Sequence, residues 1–262
     1  MINQLKPYVE ISGSGPDLVL LHGWGLHGGI WQTIVPLLET YFTVHNVDLP
    51  GFGHSAVSNE KYNLATVCHA VQSILPKSCY LMGWSLGGVV ATQLAQNHPE
   101  QIKKLITVAS SPCFVEKENW PYGMKAEVLN SFIDYLAEDF KGTLIKFLSI
   151  QTMGSRTQKQ DIAQLKETVF IHGLPAEKAL KGGLEILRDS DLLSDLKELK
   201  MPLLRIYGKL DTLVPLKSAK EVDHFSPSSE SIIFKKSGHA PFLSETESFM
   251  NEVNNFLQSE MK

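Results

Sequence analysis

The sequence predicts an α/β fold, with a mostly parallel central sheet, helices on both faces and a helical insertion. Three observations lead there. Short apolar runs of strand length alternate with segments of helical period, that alternation is broken once by a long stretch with helical patterns only, and one strand-like run passes through a glycine-flanked serine straight into a helix. At 262 residues and 43% hydrophobic composition the chain can bury a full core as one domain, residues 1–262.

In chain order, the apolar run at residues 18–21 ends in His22-Gly23-Trp24-Gly25, and a helical pattern follows over 31–39. The run at 42–47 leads into Asp48-Leu49-Pro50-Gly51-Phe52-Gly53-His54-Ser55, whose glycines, proline and short polar residues make a tight loop, so Ser55 is assigned no chemistry. A helical segment at 63–75 precedes a strand at 79–82, and a second helix follows over 86–97. After the strand at 104–109 the alternation stops. Residues 125–136, 140–151, 158–171 and 176–187 carry helical patterns with no convincing strand, which places an insertion at about 111–188. Strand and helix then resume at 202–207, 216–223, 231–234 and 246–257. No internal repeat or low-complexity segment interrupts them.

Gly83-Trp84-Ser85-Leu86-Gly87, followed by Gly88, has the strand–turn–helix context of a nucleophile elbow. Glycines on either side of Ser85 permit the sharp turn that presents its hydroxyl above the sheet rather than burying it. Asp211 follows the run at 202–207, and His239, in Ser237-Gly238-His239-Ala240-Pro241, follows the run at 231–234. The order serine, acid, histidine is that of the α/β-hydrolases, which the chain thereby resembles. A serine hydroxyl needs a base to take its proton, and the imidazole needs a carboxylate to fix its tautomer. Ser85 is therefore the expected nucleophile, His239 the base and Asp211 the orienting acid. The backbone N–H groups of Trp24 and Leu86 are the expected oxyanion donors, the second at a helix N-terminus whose dipole favours negative charge.

The other histidines have no such pattern. His22, just before the oxyanion glycine, reads as a loop-holding residue, and His27, His45, His54, His69, His98, His172 and His224 as surface or packing residues. Three cysteines (Cys68, Cys79, Cys113) without metal-ligand spacing suggest neither a disulfide framework nor a zinc site, and no metal or other cofactor is expected. The N-terminal residues lack the apolar run of a signal peptide, and nowhere do roughly eighteen apolar residues follow one another. A cytoplasmic monomer with no membrane partner is the expectation. A net charge of −4 disfavours a nucleic-acid binder. Within it, Lys141, Lys146, Arg156, Lys159 and Lys166 face only Asp161, a local excess of positive charge that is either a solvated helix face or a dock for an acidic partner. The insertion would wall in an acyl chain above Ser85. Trp24, Trp84 and Phe147 are candidate linings that read equally as core.

Longer runs are more discriminating. Leu20-Leu21-His22-Gly23-Trp24-Gly25-Leu26, Thr107-Val108-Ala109-Ser110-Ser111-Pro112-Cys113-Phe114, Gln151-Thr152-Met153-Gly154 and Gly182-Gly183-Leu184-Glu185-Ile186-Leu187 resemble the bacterial pimeloyl-[acyl-carrier protein] methyl ester esterase family of biotin synthesis. The resemblance spans nearly the whole chain. It implies an esterase that removes the methyl group from a pimeloyl chain carried on acyl-carrier protein. It also implies substrate contacts at Trp24, Ser85, Leu86, Phe147, Leu148, Ser149, Ile150, Gln151 and His239, and a basic insertion surface that grips the acidic carrier. Here that surface holds Lys146 and Lys159 where the family pattern leads one to expect arginine, and Ala163 at another such place. Lysine keeps the charge and loses the bidentate fork. Other serine hydrolases on the same scaffold, such as a short-chain esterase or a carbon–carbon bond hydrolase, stay open, as does a non-catalytic ligand receptor.

Overall fold

The apolar runs pair into one seven-stranded sheet in a computed structural model that describes residues 6–153 and 157–259. Its strands are β1 (Val9–Gly13), β2 (Asp17–Leu21), β3 (Thr43–Val47), β4 (Cys79–Trp84), β5 (Ile102–Val108), β6 (Leu203–Gly208) and β7 (Glu230–Phe234), in spatial order β1-β3-β2-β4-β5-β6-β7. All neighbours are parallel except β1, which runs antiparallel to β3 from Val9↔Val47 to Gly13↔Thr43. Leu18 to Leu21 on β2, Leu81 and Met82 on β4, and Leu105 and Ile106 on β5 are fully buried, the mark of parallel strands covered on both faces. Each such side chain stabilises the fold by about 1.5–3 kcal/mol relative to exposure.

β1 has no counterpart among the expected strands. It is an edge strand of alternating polar and apolar residues in which Ile11 is 57% exposed, so no continuous apolar run marks it. The helical segment expected at 31–39 splits into a 3-10 turn at Gly28–Trp31 and α1 (Val35–Leu38). Pro36 has no N–H to offer Gln32, and its ring opposes continuing the preceding turn.

The remaining helices follow the expected order. α2 (Leu64–Gln72) opens on an Asn63 cap paired with Thr66, and α3 (Leu86–Asn97) packs on β2, β4 and β5. α4 (Ala126–Glu138), α5 (Phe140–Gln151), α6 (Gln158–Ile171) and α7 (Glu177–Asp189) all lie between β5 and β6. A short α8 (Leu193–Glu198) leads back to the sheet, and α9 (Leu216–Phe225), α10 (Pro241–Ser244) and α11 (Thr246–Gln258) follow, α8 and α10 being absent from the sequence reading. Buried Lys104 on β5 donates from Nζ to the carbonyls of Phe256 (2.8 Å) and Ser259 (2.6 Å), closing the exposed C-terminal carbonyls of α11 with a charge that suits the helix dipole. No described helix is long and apolar enough to cross a membrane.

Candidate active site

The turn between β4 and α3 has the strained geometry that its glycines permit. Ser85 sits at φ 54°, ψ −117°, a region that L-residues rarely occupy. A Cβ on Gly83 would strike the Gly87 carbonyl, and one on Gly87 would lie 2.5 Å from the His22 carbonyl oxygen at the end of β2. The spacing therefore serves two close backbone approaches as well as the turn. The Ser85 N–H donates to the Val108 carbonyl at 2.9 Å, and the Ser110 hydroxyl donates to the Ser85 carbonyl at 2.8 Å, so both peptide groups around the serine are fixed. Contrary to the sequence expectation of a presented serine, Ser85 is 2% exposed and therefore buried. The insertion helices contact the loops that flank the elbow, through Leu180 and Phe147 against Trp24 and through Gln151 against His239.

Asp211 and His239 come together from loops after β6 and β7. His239 Nδ1 donates to Asp211 Oδ2 at 2.7 Å, with both side chains buried. The other carboxylate oxygen accepts from the Leu213 and Val214 N–H groups at 2.8 and 3.0 Å, which locks its orientation. With Nδ1 donating, Nε2 is the accepting nitrogen, and it is buried without a hydrogen-bond partner. A buried acceptor left open is the group that a proton-transfer step requires. Gly208 and Gly238 bring the two loops together: a Cβ on Gly208 would lie 2.5 Å from the Ser237 carbonyl oxygen.

The loop after β2 is held by groups whose roles the sequence only partly discloses. His22 accepts the Leu49 N–H on Nε2 at 2.9 Å, and its Nδ1 lies 2.8 Å from the Gly23 carbonyl oxygen. Burial lowers its pKa to about 4, so it is a neutral loop brace, in keeping with its sequence reading. Asp48 is the residue that sequence reasoning passed over. Its carboxylate accepts from the Gly28 and His54 N–H groups at 2.6 and 2.8 Å, joining the loop after β2 to the loop after β3. Its position after a strand and before Pro50-Gly51 marks a turn but not its partner, because the contact with Gly28 is tertiary. Ser110 was missed for the same reason.

The insertion meets this loop through aromatic and glycine contacts. Trp24 donates from Nε1 to the Leu180 carbonyl at 2.8 Å and packs on Phe147 with ring centroids 4.5 Å apart. Gly183 of α7 lies against the same indole, where a Cβ would stand 2.7 Å from Cδ1. Phe147 and Gln151 are buried beside these contacts, and the Gln151 carbonyl accepts the His239 N–H at 3.1 Å. The Gln151 side-chain oxygen is buried and unpartnered. Leu148 is fully buried, Ile150 is half-buried, and the Ser149 hydroxyl bonds back to the Ile145 carbonyl within α5. Of the basic residues, Lys141, Lys146 and Lys159 are exposed, Lys146 lying 5.3 Å from the centre of the Tyr135 ring, whereas Lys166 is half-buried. Arg156 lies outside the described residues. Among the described residues no cluster of histidine, cysteine or carboxylate side chains could hold a metal ion.

Comparison with known proteins shows the family to which the chain belongs. A family model described as alpha/beta hydrolase fold matches residues 16–246. A pimeloyl-[acyl-carrier protein] methyl ester esterase of Aeromonas hydrophila is 48% identical over 250 residues, covering 95% of this chain and 98% of that protein. Proteins of the same name from Vibrio campbellii and Vibrio cholerae are 47% and 42% identical, over 93% and 95% of this chain and 95% and 97% of theirs. Among solved structures, an esterase from Exiguobacterium antarcticum superposes with a TM-score of 0.87 at 26% identity, covering 97% of this chain and 96% of that one.

Proposed function

The chain belongs to the α/β-hydrolase fold family and, within it, to the pimeloyl-[acyl-carrier protein] methyl ester esterases, and on that premise we propose that Ser85, His239 and Asp211 hydrolyse the methyl ester of a carrier-bound pimeloyl chain. The observation that carries the chemistry is the buried Asp211–His239 pair with its open Nε2, following the strained elbow that holds Ser85. Nε2 takes the hydroxyl proton as Ser85 Oγ attacks the ester carbonyl carbon. The resulting oxyanion is held by the Trp24 and Leu86 N–H groups, each such donor lowering the barrier by about 2.7–4 kcal/mol. Collapse breaks the bond to the methoxy oxygen, which leaves as methanol with the proton from His239. A water molecule, deprotonated by the same nitrogen, then attacks the acyl-enzyme, and Ser85 regains its proton as the free carboxylate departs.

The four insertion helices act in this proposal as a cap over the acyl site. Phe147, against Trp24 and Phe132, is a wall of the pocket. Phe147→Asp is expected to slow hydrolysis of long acyl esters more than of acetyl esters, measured as kcat/KM across a chain-length series with the circular-dichroism melt as control. An equal fall at every length in a folded variant would remove Phe147 from the pocket wall.

The acyl-carrier protein is the proposed macromolecular partner, engaging the exposed Lys141, Lys146 and Lys159 and the half-buried Lys166 of the insertion. Reversing Lys146 and Lys159 to Glu should raise KM for a carrier-bound ester and leave a small soluble ester nearly unchanged, because these charges act on encounter rather than on bond breaking. The wild-type reaction with the carrier should weaken as salt rises, since screening reaches about 8 Å at physiological ionic strength. Equal losses on both substrates would indicate a misfolded cap, and no loss on either would return the lysines to a solvated face. Pathway membership is tested by growth rescue of a biotin-requiring host lacking its own esterase. The wild-type gene should restore growth and the Ser85→Ala gene should not.

A further inference from the structure

We infer that Trp84 is a positioning residue that holds the main chain of His239 in register with the nucleophile elbow. The inference rests on the proposed triad and concerns what places its base. Asp211 fixes the tautomer and tilt of the imidazole, but it does not fix the backbone from which the ring projects. That backbone has two hydrogen bonds of its own. The His239 N–H donates to the Gln151 carbonyl at 3.1 Å, and the His239 carbonyl accepts Trp84 Nε1–H at 2.7 Å.

The second bond has particular leverage because Trp84 is the residue immediately before Ser85 and the last of β4. Base and nucleophile are thus joined through one indole and one peptide unit, although 155 residues separate the bonded groups in sequence. The indole is fully buried. It faces the His239 ring with centroids 5.7 Å apart, packs edge-on against Phe242 at 5.2 Å and touches Trp31 at 6.4 Å. Gly23 of the oxyanion loop also approaches it, where a Cβ would stand 2.8 Å from indole Cε3. One rigid side chain therefore borders the elbow, the oxyanion loop and the histidine loop. Displacing a reacting group by about 1 Å can cost about 100-fold in rate, so a lost anchor here should be read in turnover more than in binding.

Trp31 supplies the comparison. It is an equally buried tryptophan in the same aromatic cluster, but its Nε1 has no hydrogen-bond partner. In the full-length protein with a small soluble ester, Trp84→Phe should lower kcat by about 10–100-fold with KM within about twofold of wild type. Trp31→Phe should leave kcat within about threefold of wild type. Replacing Trp84 by β-(3-benzothienyl)alanine, which keeps the shape of the indole and lacks its N–H, should reproduce the kcat loss while the melting temperature stays near wild type. A folded benzothienyl variant with wild-type kcat, or an equal loss in Trp31→Phe, would overturn the inference. A benzothienyl variant that fails to fold would overturn it as well, by assigning the bond to stability. Stoichiometric modification of wild-type Ser85 by a fluorophosphonate keeps the two levels apart: its absence counts against the triad, whereas a labelled wild type beside a fully active isostere variant counts against Trp84 alone.

Discussion

Ser85→Ala and His239→Ala are each expected to abolish ester hydrolysis, with kcat falling thousands-fold or more, and the double variant should be no worse than either single one. Nucleophile and base act as a unit, so removing one leaves the other without a role and the losses do not add. Neither change should unfold the protein. Alanine can take the Ser85 backbone conformation at no greater strain than serine, since both carry a Cβ, and the Ser85 side chain makes no capping hydrogen bond to α3. His239→Ala does free the buried Asp211 carboxylate from one of its partners, but Leu213 and Val214 still donate to it. Steady-state kinetics on a soluble ester, beside a thermal melt, check both variants. A Ser85→Ala enzyme with near-normal turnover would remove serine catalysis from the account.

Asp211→Asn is expected to lower kcat by about 10⁴-fold while leaving the fold intact. The geometry makes the reason specific. Oδ1 accepts two backbone N–H groups, so an asparagine would keep its carbonyl oxygen there and turn its NH₂ toward His239. A donor at that place requires Nδ1 to accept, which moves the imidazole proton to Nε2, the nitrogen that must receive the proton of Ser85. The ring would stay in position with the wrong tautomer. Measured kcat should therefore collapse with the melting temperature little changed. A loss below about tenfold would mean that Asp211 does not set the tautomer.

The proposed triad is read from the sequence because each member follows an apolar run and a glycine-bearing turn: Ser85 after 79–82, Asp211 after 202–207 and His239 after 231–234. Buried parallel strands such as β2, β4 and β5 read as continuous apolar runs, and β3, β6 and β7 carry enough apolar residues that six of the seven strands are legible. β1 is not, since its edge position lets Glu10, Ile11 and Ser12 face water. The helices of the insertion were legible from their period, but their placement against Trp24 and His239 was not. That depends on single approaches such as Gly183 to the Trp24 indole and Gln151 to the His239 N–H, which leave no local pattern. Burial of Ser85 belongs with these, because a strand–turn–helix motif describes its own backbone and not what is folded over it. Asp48, Ser110 and Trp84 act through long-range hydrogen bonds, and their neighbours in sequence do not include their partners.

In the proposed reaction Ser85 cleaves the methyl ester of a carrier-bound pimeloyl chain. Its most direct test is the intact mass of pimeloyl-[acyl-carrier protein] methyl ester after incubation with the wild-type and Ser85→Ala proteins, with methanol assayed in the same samples. The wild type should remove the mass of one methylene from the carrier species and release methanol in equal amount, leaving the thioester whole, and the variant should do neither. A carrier that keeps its full mass under conditions where the wild type hydrolyses a small ester, or one that loses the entire acyl chain, would contradict the claim.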